Sequence, residues 1–210
     1  MKGLIIKDFL VLKKTGRVFL MLMGLYLIMT IFMNTDMGPL MVFICGMLSI
    51  STFAYDEQAK WDAYALTMPI SKRDLVRSKY VLAIILCFIG AVAGVILSVA
   101  SNLDAPLIDW GGILIASGIA LCASYVFNSL ALPLLYKFGA EKSRVILLAC
   151  YAVPLIGASL VMNELEKSSG ALIRLQSLLN LGAILLPFVT VAVLFLSYFI
   201  SLRIYSKKDV

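Results

Sequence analysis

The sequence has no histidine and little charge. Asp, Glu, Lys and Arg make up 14% of its 210 residues, against about 25% in a soluble domain. Without histidine it lacks the commonest transition-metal ligand and general base. Six stretches carry no charge at all: 18–33, 37–55, 80–103, 110–136, 145–163 and 175–202. Pumps and ion-coupled porters usually set titratable groups in such stretches, which argues against a proton-driven porter. A sodium site of backbone and hydroxyl groups stays open. Cys45, Cys87, Cys122 and Cys150 each lie in an apolar run with no CxxC spacing. They read as small packing residues rather than as disulfide or metal partners. GxxxxGK[ST], HExxH and GxSxG are all missing, so no enzyme activity, metal or cofactor is expected of the chain itself. Internal repeats and low-complexity segments are missing too.

What is present is apolar surface. The chain is 62% hydrophobic, with a mean hydropathy of +1.01. A core of this size cannot bury that much, so lipid must solvate most of it. The six stretches approach the roughly 20 residues of a spanning helix. They predict an all-α, polytopic membrane protein of six spans in a single domain, 1–210. The first stretch is short enough to pass for a signal peptide, but Asn34-Thr35-Asp36 offers no small-residue cleavage site. The formal charge is +6. Its basic residues lie between apolar blocks instead of on a soluble face, so no nucleic acid is expected. Sixteen of the eighteen Lys and Arg residues fall before the first stretch, between the second and third, between the fourth and fifth, and after the sixth. Only Lys167 and Arg174 fall on the other side. The positive-inside bias puts the sixteen-residue side, with both termini, in the cytoplasm of a bacterial cell membrane.

Three segments outside the spans have character of their own. In 1–17, Leu4, Ile5, Phe9 and Leu12 alternate with Lys2, Lys7, Lys13 and Lys14, which suits a helix lying in the membrane interface. In 56–79, the longest cytoplasmic piece, Trp61, Tyr64, Ala65 and Met68 recur at helical spacing before Pro69. Ser71-Lys72-Arg73-Asp74 then reads as a capping-box-like helix start. The external segment 163–177 turns apolar at Ala171-Leu172-Ile173, which suits a short helix dipping back into the membrane. Pro133, Pro154 and Pro187 lie in the fourth, fifth and sixth spans, as packing kinks or as hinges. Gly90, Gly94 and Ser98 form a small face for close helix contact, within the chain or between subunits. Ser124, Asn128 and Ser129 can bond a neighbouring helix or line a translocation path.

One region carries a more specific signal. The run Phe53-Ala54-Tyr55-Asp56-Glu57, then Lys60-Trp61-Asp62, Tyr64 through Pro69, and Ser71 through Tyr80 resembles a family of small ABC-2-type transporter permeases. That family is found mainly in Gram-positive bacteria and pairs with a separately encoded ATPase. The opening Met1-Lys2-Gly3-Leu4 with Lys7-Asp8 is similar too, and the subunits most alike serve phenol-soluble modulin and antimicrobial-peptide exporters. The resemblance implies the transmembrane half of an ATP-driven exporter of amphipathic or antimicrobial peptides, or of other hydrophobic substrates. It implies two ATPase copies binding ATP and Mg, a second permease copy or a sibling, and surrounding membrane lipid. Segment 1–17 would be the connecting helix, and 163–177 would supply the re-entrant helix. Loop 56–79 would hold the coupling helix. There Trp61, Tyr64 and Met68 would be apolar anchors for the ATPase, and Asp56, Glu57 and Asp62 would face its basic groups. Trp61 and Tyr64 also fit an aromatic belt at the lipid interface. The alternative function is a non-transporting subunit of an immunity or sensing complex that docks the same ATPase.

Overall fold

The computed structural model describes residues 2–33, 36, 38–65, 67, 68, 71–102, 109–166 and 169–207. At 2, 14–17, 19, 30, 31, 33, 62, 63, 144, 145, 148–166 and 169–184 it describes the backbone alone. The described residues are all-helical. In chain order they form α1 (Lys2–Met33), α2 (Gly38–Gln58), α3 (Trp61–Ala65), α4 (Lys72–Ser101), α5 (Trp110–Glu166) and α6 (Ser169–Ser206).

Short polar side chains start these helices. Ser71 is extended and its hydroxyl oxygen accepts the Asp74 N–H at 3.1 Å. The same hydroxyl donates to Asp74 Oδ2 at 2.8 Å, so 71–74 form the cap their sequence predicts, with Asp in place of Glu. Asp109 Oδ1 accepts the Gly112 N–H at 3.0 Å at the head of α5. Asp36 Oδ1 accepts the Gly38 N–H at 2.9 Å at the head of α2. Each carboxylate also meets the positive end of a helix dipole.

Two boundaries differ from the expected ones, and a third falls where one was expected, between the fourth and fifth stretches. Residues 2–17 and the first span are one unbroken helix of 32 residues, about 48 Å long. The apolar segment at 171–173 is no separate helix either, because the backbone from Ser169 runs unbroken into α6; its side chains lie outside the described residues. Conversely α5, at 57 residues, is interrupted. Gly139 has φ 79 and ψ 175, a conformation essentially reserved for glycine, and it divides α5 into 110–138 and 140–166.

Among the described residues, four helical segments are long and apolar enough to cross a membrane: Gly38–Gln58, Lys72–Ser101, Trp110–Ser143 and Leu185–Ser206. They hold the second, third, fourth and sixth expected spans. The first lies in α1, whose described apolar stretch is the shorter Leu20–Met29. The fifth lies in 140–166, where the side chains are largely outside the described residues.

Helix α4 is the hub and packs against α1, α2, α5 and α6. Its closest approach is to α2, through glycine. A Cβ at Gly90 would lie 2.6 Å from Cys45 Cβ, and one at Gly94 2.6 Å from the Gly38 carbonyl oxygen. Ser98 Oγ donates to Asp36 Oδ1 at 2.7 Å at the end of the same seam. The small face of α4 is therefore used within the chain. Because Gly38 meets Gly94 while Asp56 meets Lys79, α2 and α4 are antiparallel. Helix α5 to residue 138 and the end of α6 run parallel to α2, as Asn128 meets Ser49 and Tyr136 meets Phe53 and Tyr205.

The larger core cluster gathers toward one end of the bundle, with Leu4, Ala65, Leu75, Tyr136, Ala140 and Tyr205. The outside stays apolar. Phe32 is 85% exposed, Met21 75% and Phe188 74%, and Phe88, Ile96, Phe195 and Phe199 are exposed as well. Such a surface is stable only against lipid.

Candidate functional site

The start of α1, the end of α2, α3, the start of α4 and the break in α5 meet at the same end of the bundle. Four charged side chains close a square there. Lys7 Nζ lies 2.7 Å from Asp56 Oδ1 and 3.1 Å from Asp8 Oδ1. Lys79 Nζ lies 2.6 Å from Asp56 Oδ2 and 3.0 Å from Asp8 Oδ1. It also donates to Thr52 Oγ1 at 3.3 Å. The square is neutral and alternates in sign, which is what lets it be buried: Asp8 is 1% exposed and Lys79 8%. Unpaired, either charge would cost several kcal/mol at this depth. The square ties α1, α2 and α4 together.

The neighbouring residue ties in α5. Glu57 Oε2 accepts the Ala140 N–H at 2.5 Å, at the first residue after the Gly139 break. A carboxylate there caps the renewed helix and faces its dipole. A Cβ at Gly139 would fall 2.5 Å from Glu57 Oε1, so glycine is needed for both conformation and space. Two consecutive carboxylates thus reach in different directions. Asp56 holds α1 and α4; Glu57 holds α5.

Helix α3 hangs from this point. Helix α2 ends with the Ala59 N–H bonded to the Tyr55 carbonyl at 3.0 Å and the Lys60 N–H to the Glu57 carbonyl at 3.1 Å. Lys60 turns the chain with φ 48. Trp61 is half-buried against the core cluster, with Lys7 Nζ 4.3 Å from its ring centroid, a cation–π contact. Ala65 is fully buried, while Tyr64, its ring centroid 5.5 Å from that of Trp61, is 57% exposed. Met68 is half-buried, its N–H bonded to the Ala65 carbonyl at 3.2 Å. The α3 turn is seated on the bundle by one face and open on the other.

Over residues 3–206 the chain matches the family described as ABC-2 family transporter protein. The chain belongs to that family. No curated protein and no solved structure matches it. It is therefore the membrane permease component of an ABC transporter, in a family whose ATPase is a separate subunit.

Within the permease, the residues singled out from the sequence fall in four groups. Trp61, Tyr64 and Met68 cluster on and beside α3. Asp56 and Glu57, expected to meet basic groups of an ATPase, are bonded within the permease to Lys7, Lys79 and Ala140. The Asp62 side chain lies outside the described residues. Ser124, Asn128 and Ser129 are buried in the α2–α4–α5 seam and next to it. Ser49 Oγ donates to Asn128 Oδ1 at 2.5 Å, Ser124 Oγ lies 3.2 Å from Cys87 Sγ, and Ser129 Oγ donates to the Tyr125 carbonyl at 2.8 Å. Pro133 and Pro187 sit within α5 and α6, and the break in α5 comes at Gly139, six residues past Pro133. The Pro154 side chain is outside the described residues.

Sequence reasoning missed Asp8, Lys79 and Gly139. Lys79 counted only as a topological charge. Asp8 had a legible signal, since it stands in the apolar register of 1–17 between Leu4 and Leu12, where an acid needs a buried partner. Nothing local distinguishes Gly139 from the other glycines.

Proposed function

We propose that the permease is the transmembrane half of an ATP-driven exporter of amphipathic or antimicrobial peptides, or of other hydrophobic substrates. In this reading it sits in the bacterial cell membrane with six spans and both termini in the cytoplasm. It pairs with a second copy or a sibling permease, and each half engages one ATPase that binds ATP and Mg. The observation that carries the reading is the seating of α3. Its exposed face offers Tyr64, and its buried face, through Trp61, Ala65 and the adjacent Asp56 and Glu57, grips α1, α2, α4 and α5. A push on Tyr64 reaches four membrane helices through charge-assisted contacts, which are stronger than neutral ones. A chain whose apolar stretches carry no charge needs its motor outside the membrane, and α3 is where that motor would act.

The test is reconstitution with the ABC ATPase that co-purifies with the permease. Amphipathic peptide is expected to stimulate ATP hydrolysis and to move across the vesicle membrane. Tyr64→Ala is expected to weaken ATPase binding about tenfold or more, as loss of an aromatic anchor does, with the permease as stable as before. Full ATPase binding and export by Tyr64→Ala and Trp61→Ala together would remove α3 from the coupling role. ATPase docking without peptide-stimulated hydrolysis or movement would replace the exporter by a non-transporting immunity or sensing subunit.

A further inference from the structure

A groove of about 360 Å³ opens between α4 and α6 toward their basic ends. Arg77, Val81 and Ile84 line it from α4, and Val191, Leu194 and Phe195 from α6. Each set follows helical spacing, so the two helices present facing stripes rather than a chance gap. The floor is locked. Tyr80 Oη is 2.6 Å from Ser197 Oγ and 2.8 Å from Ser201 Oγ, and Ser197 Oγ donates to the Ser129 carbonyl at 2.5 Å. The Tyr80 and Tyr198 rings meet edge-on at 5.5 Å. Three helices thus hold the groove open at fixed width. Its walls are apolar except for Arg77 at the basic end, which is exposed and pairs with no carboxylate among the described residues.

We propose that this groove binds one anionic phospholipid, with an acyl chain along Val81, Ile84, Val191, Leu194 and Phe195 and the phosphate on Arg77. The chemistry fits at both ends. An apolar groove open to the bilayer suits an acyl chain, and basic residues beside such grooves at the membrane surface attract anionic head groups. A guanidinium presents a fork of donors matched to phosphate oxygens. Arg77 stands in the second turn of α4, three residues before the uncharged stretch that begins at Tyr80, and Tyr198 adds an aromatic of the kind favoured at the membrane interface. Arg73 and Arg203, exposed near the same helix ends, add to the positive potential without lining the groove.

The full-length permease purified in detergent tests this by native mass spectrometry, titrated with phosphatidylglycerol or phosphatidylcholine of identical acyl chains. The first lipid bound is expected to be phosphatidylglycerol, about tenfold tighter than phosphatidylcholine. Arg77→Gln is expected to abolish the preference, and Arg203→Gln to leave it within twofold. Leu194→Trp, which fills the groove, and Phe195→Ala, which removes an exposed wall, are expected to weaken both lipids with the lipid-free melting temperature unchanged. A preference that survives Arg77→Gln, or that Arg203→Gln removes equally, overturns the headgroup site. Unchanged affinity for both lipids in the two wall variants overturns the groove. None of these outcomes depends on the ATPase or on the transported substrate.

Discussion

Replacing Lys79 by methionine keeps the length and most of the volume of the side chain and removes only its charge. At 2.6 Å from Asp56 and 3.0 Å from Asp8, each attraction is about 5–6 kcal/mol at an effective dielectric near 20. Desolvation of four ions offsets most of that, so the intact square adds little net stability. Its loss is another matter. With Lys79 gone, Asp8 is 1% exposed and shares the single remaining cation, Lys7, with Asp56. The square then carries one net negative charge with little water to screen it. Breaking a buried pair in this way costs about 3–5 kcal/mol, and the residual exposure of Lys79 sets our expectation near the lower end, about 3 kcal/mol. Reversible unfolding in mixed micelles, followed by far-ultraviolet circular dichroism, reads this directly. Arg73→Met, at an exposed position on the same helix, is the control and should cost under about 0.5 kcal/mol. Adding Asp8→Asn to Lys79→Met restores neutrality, so the double variant should be less destabilised than the sum of the single ones by about 1 kcal/mol or more. A Lys79→Met loss no larger than that of Arg73→Met, or strict additivity in the double variant, refutes the buried square.

Gly139→Ala should destabilise the permease by about 1–3 kcal/mol from backbone strain alone, and by more unless the Glu57 carboxylate 2.5 Å from the new Cβ moves away; an unchanged melting temperature would show that the break can relax. Gly94→Leu should separate α2 from α4, because even a Cβ there lies 2.6 Å from the Gly38 carbonyl oxygen, and it should lower the melting temperature well below that of the control Gly24→Leu, where a Cβ meets nothing within 4 Å; equal melting temperatures would show that the α2–α4 seam yields. Single cysteines at positions 104 and 167 should label only from outside the cell and those at 60 and 142 only from the cytoplasm, with the opposite pattern reversing the orientation. The permease freed of its ATPase should hydrolyse no ATP, since the sequence holds no phosphate-binding loop of the GxxxxGK[ST] type; hydrolysis by the purified chain would contradict its place as a permease.

Much is legible in the sequence alone, and for physical reasons. Uncharged stretches near 20 residues are a statement about lipid, and the described parts of four of them, 38–55, 80–101, 110–136 and 185–202, lie in long apolar helices of the structure. The cap at Ser71 was readable because donor and acceptor are three residues apart. The helical spacing of Trp61, Tyr64, Ala65 and Met68 pointed to a helix in this loop; α3 spans Trp61–Ala65, and Met68 lies after its end. The break at Gly139 was not readable, because what demands glycine there is a carboxylate from α2. Nor could the sequence show that the segment before the first span stays in one helix with it, since an amphipathic stretch followed by an apolar one carries no stop signal between them.

The division follows the range of the interactions. Solvent preference and helix caps act within one helix, so composition and spacing determined by themselves that the chain is an all-helical membrane protein. Lys79 meets Asp8 across 71 positions, Lys7 meets Asp56 across 49, and Glu57 reaches Ala140 across 83. No local rule pairs residues so far apart. Only the antiparallel docking of α2 on α4, set by Gly38, Gly90 and Gly94, brought those charges into register, because a buried ion is stable only where its partner already is.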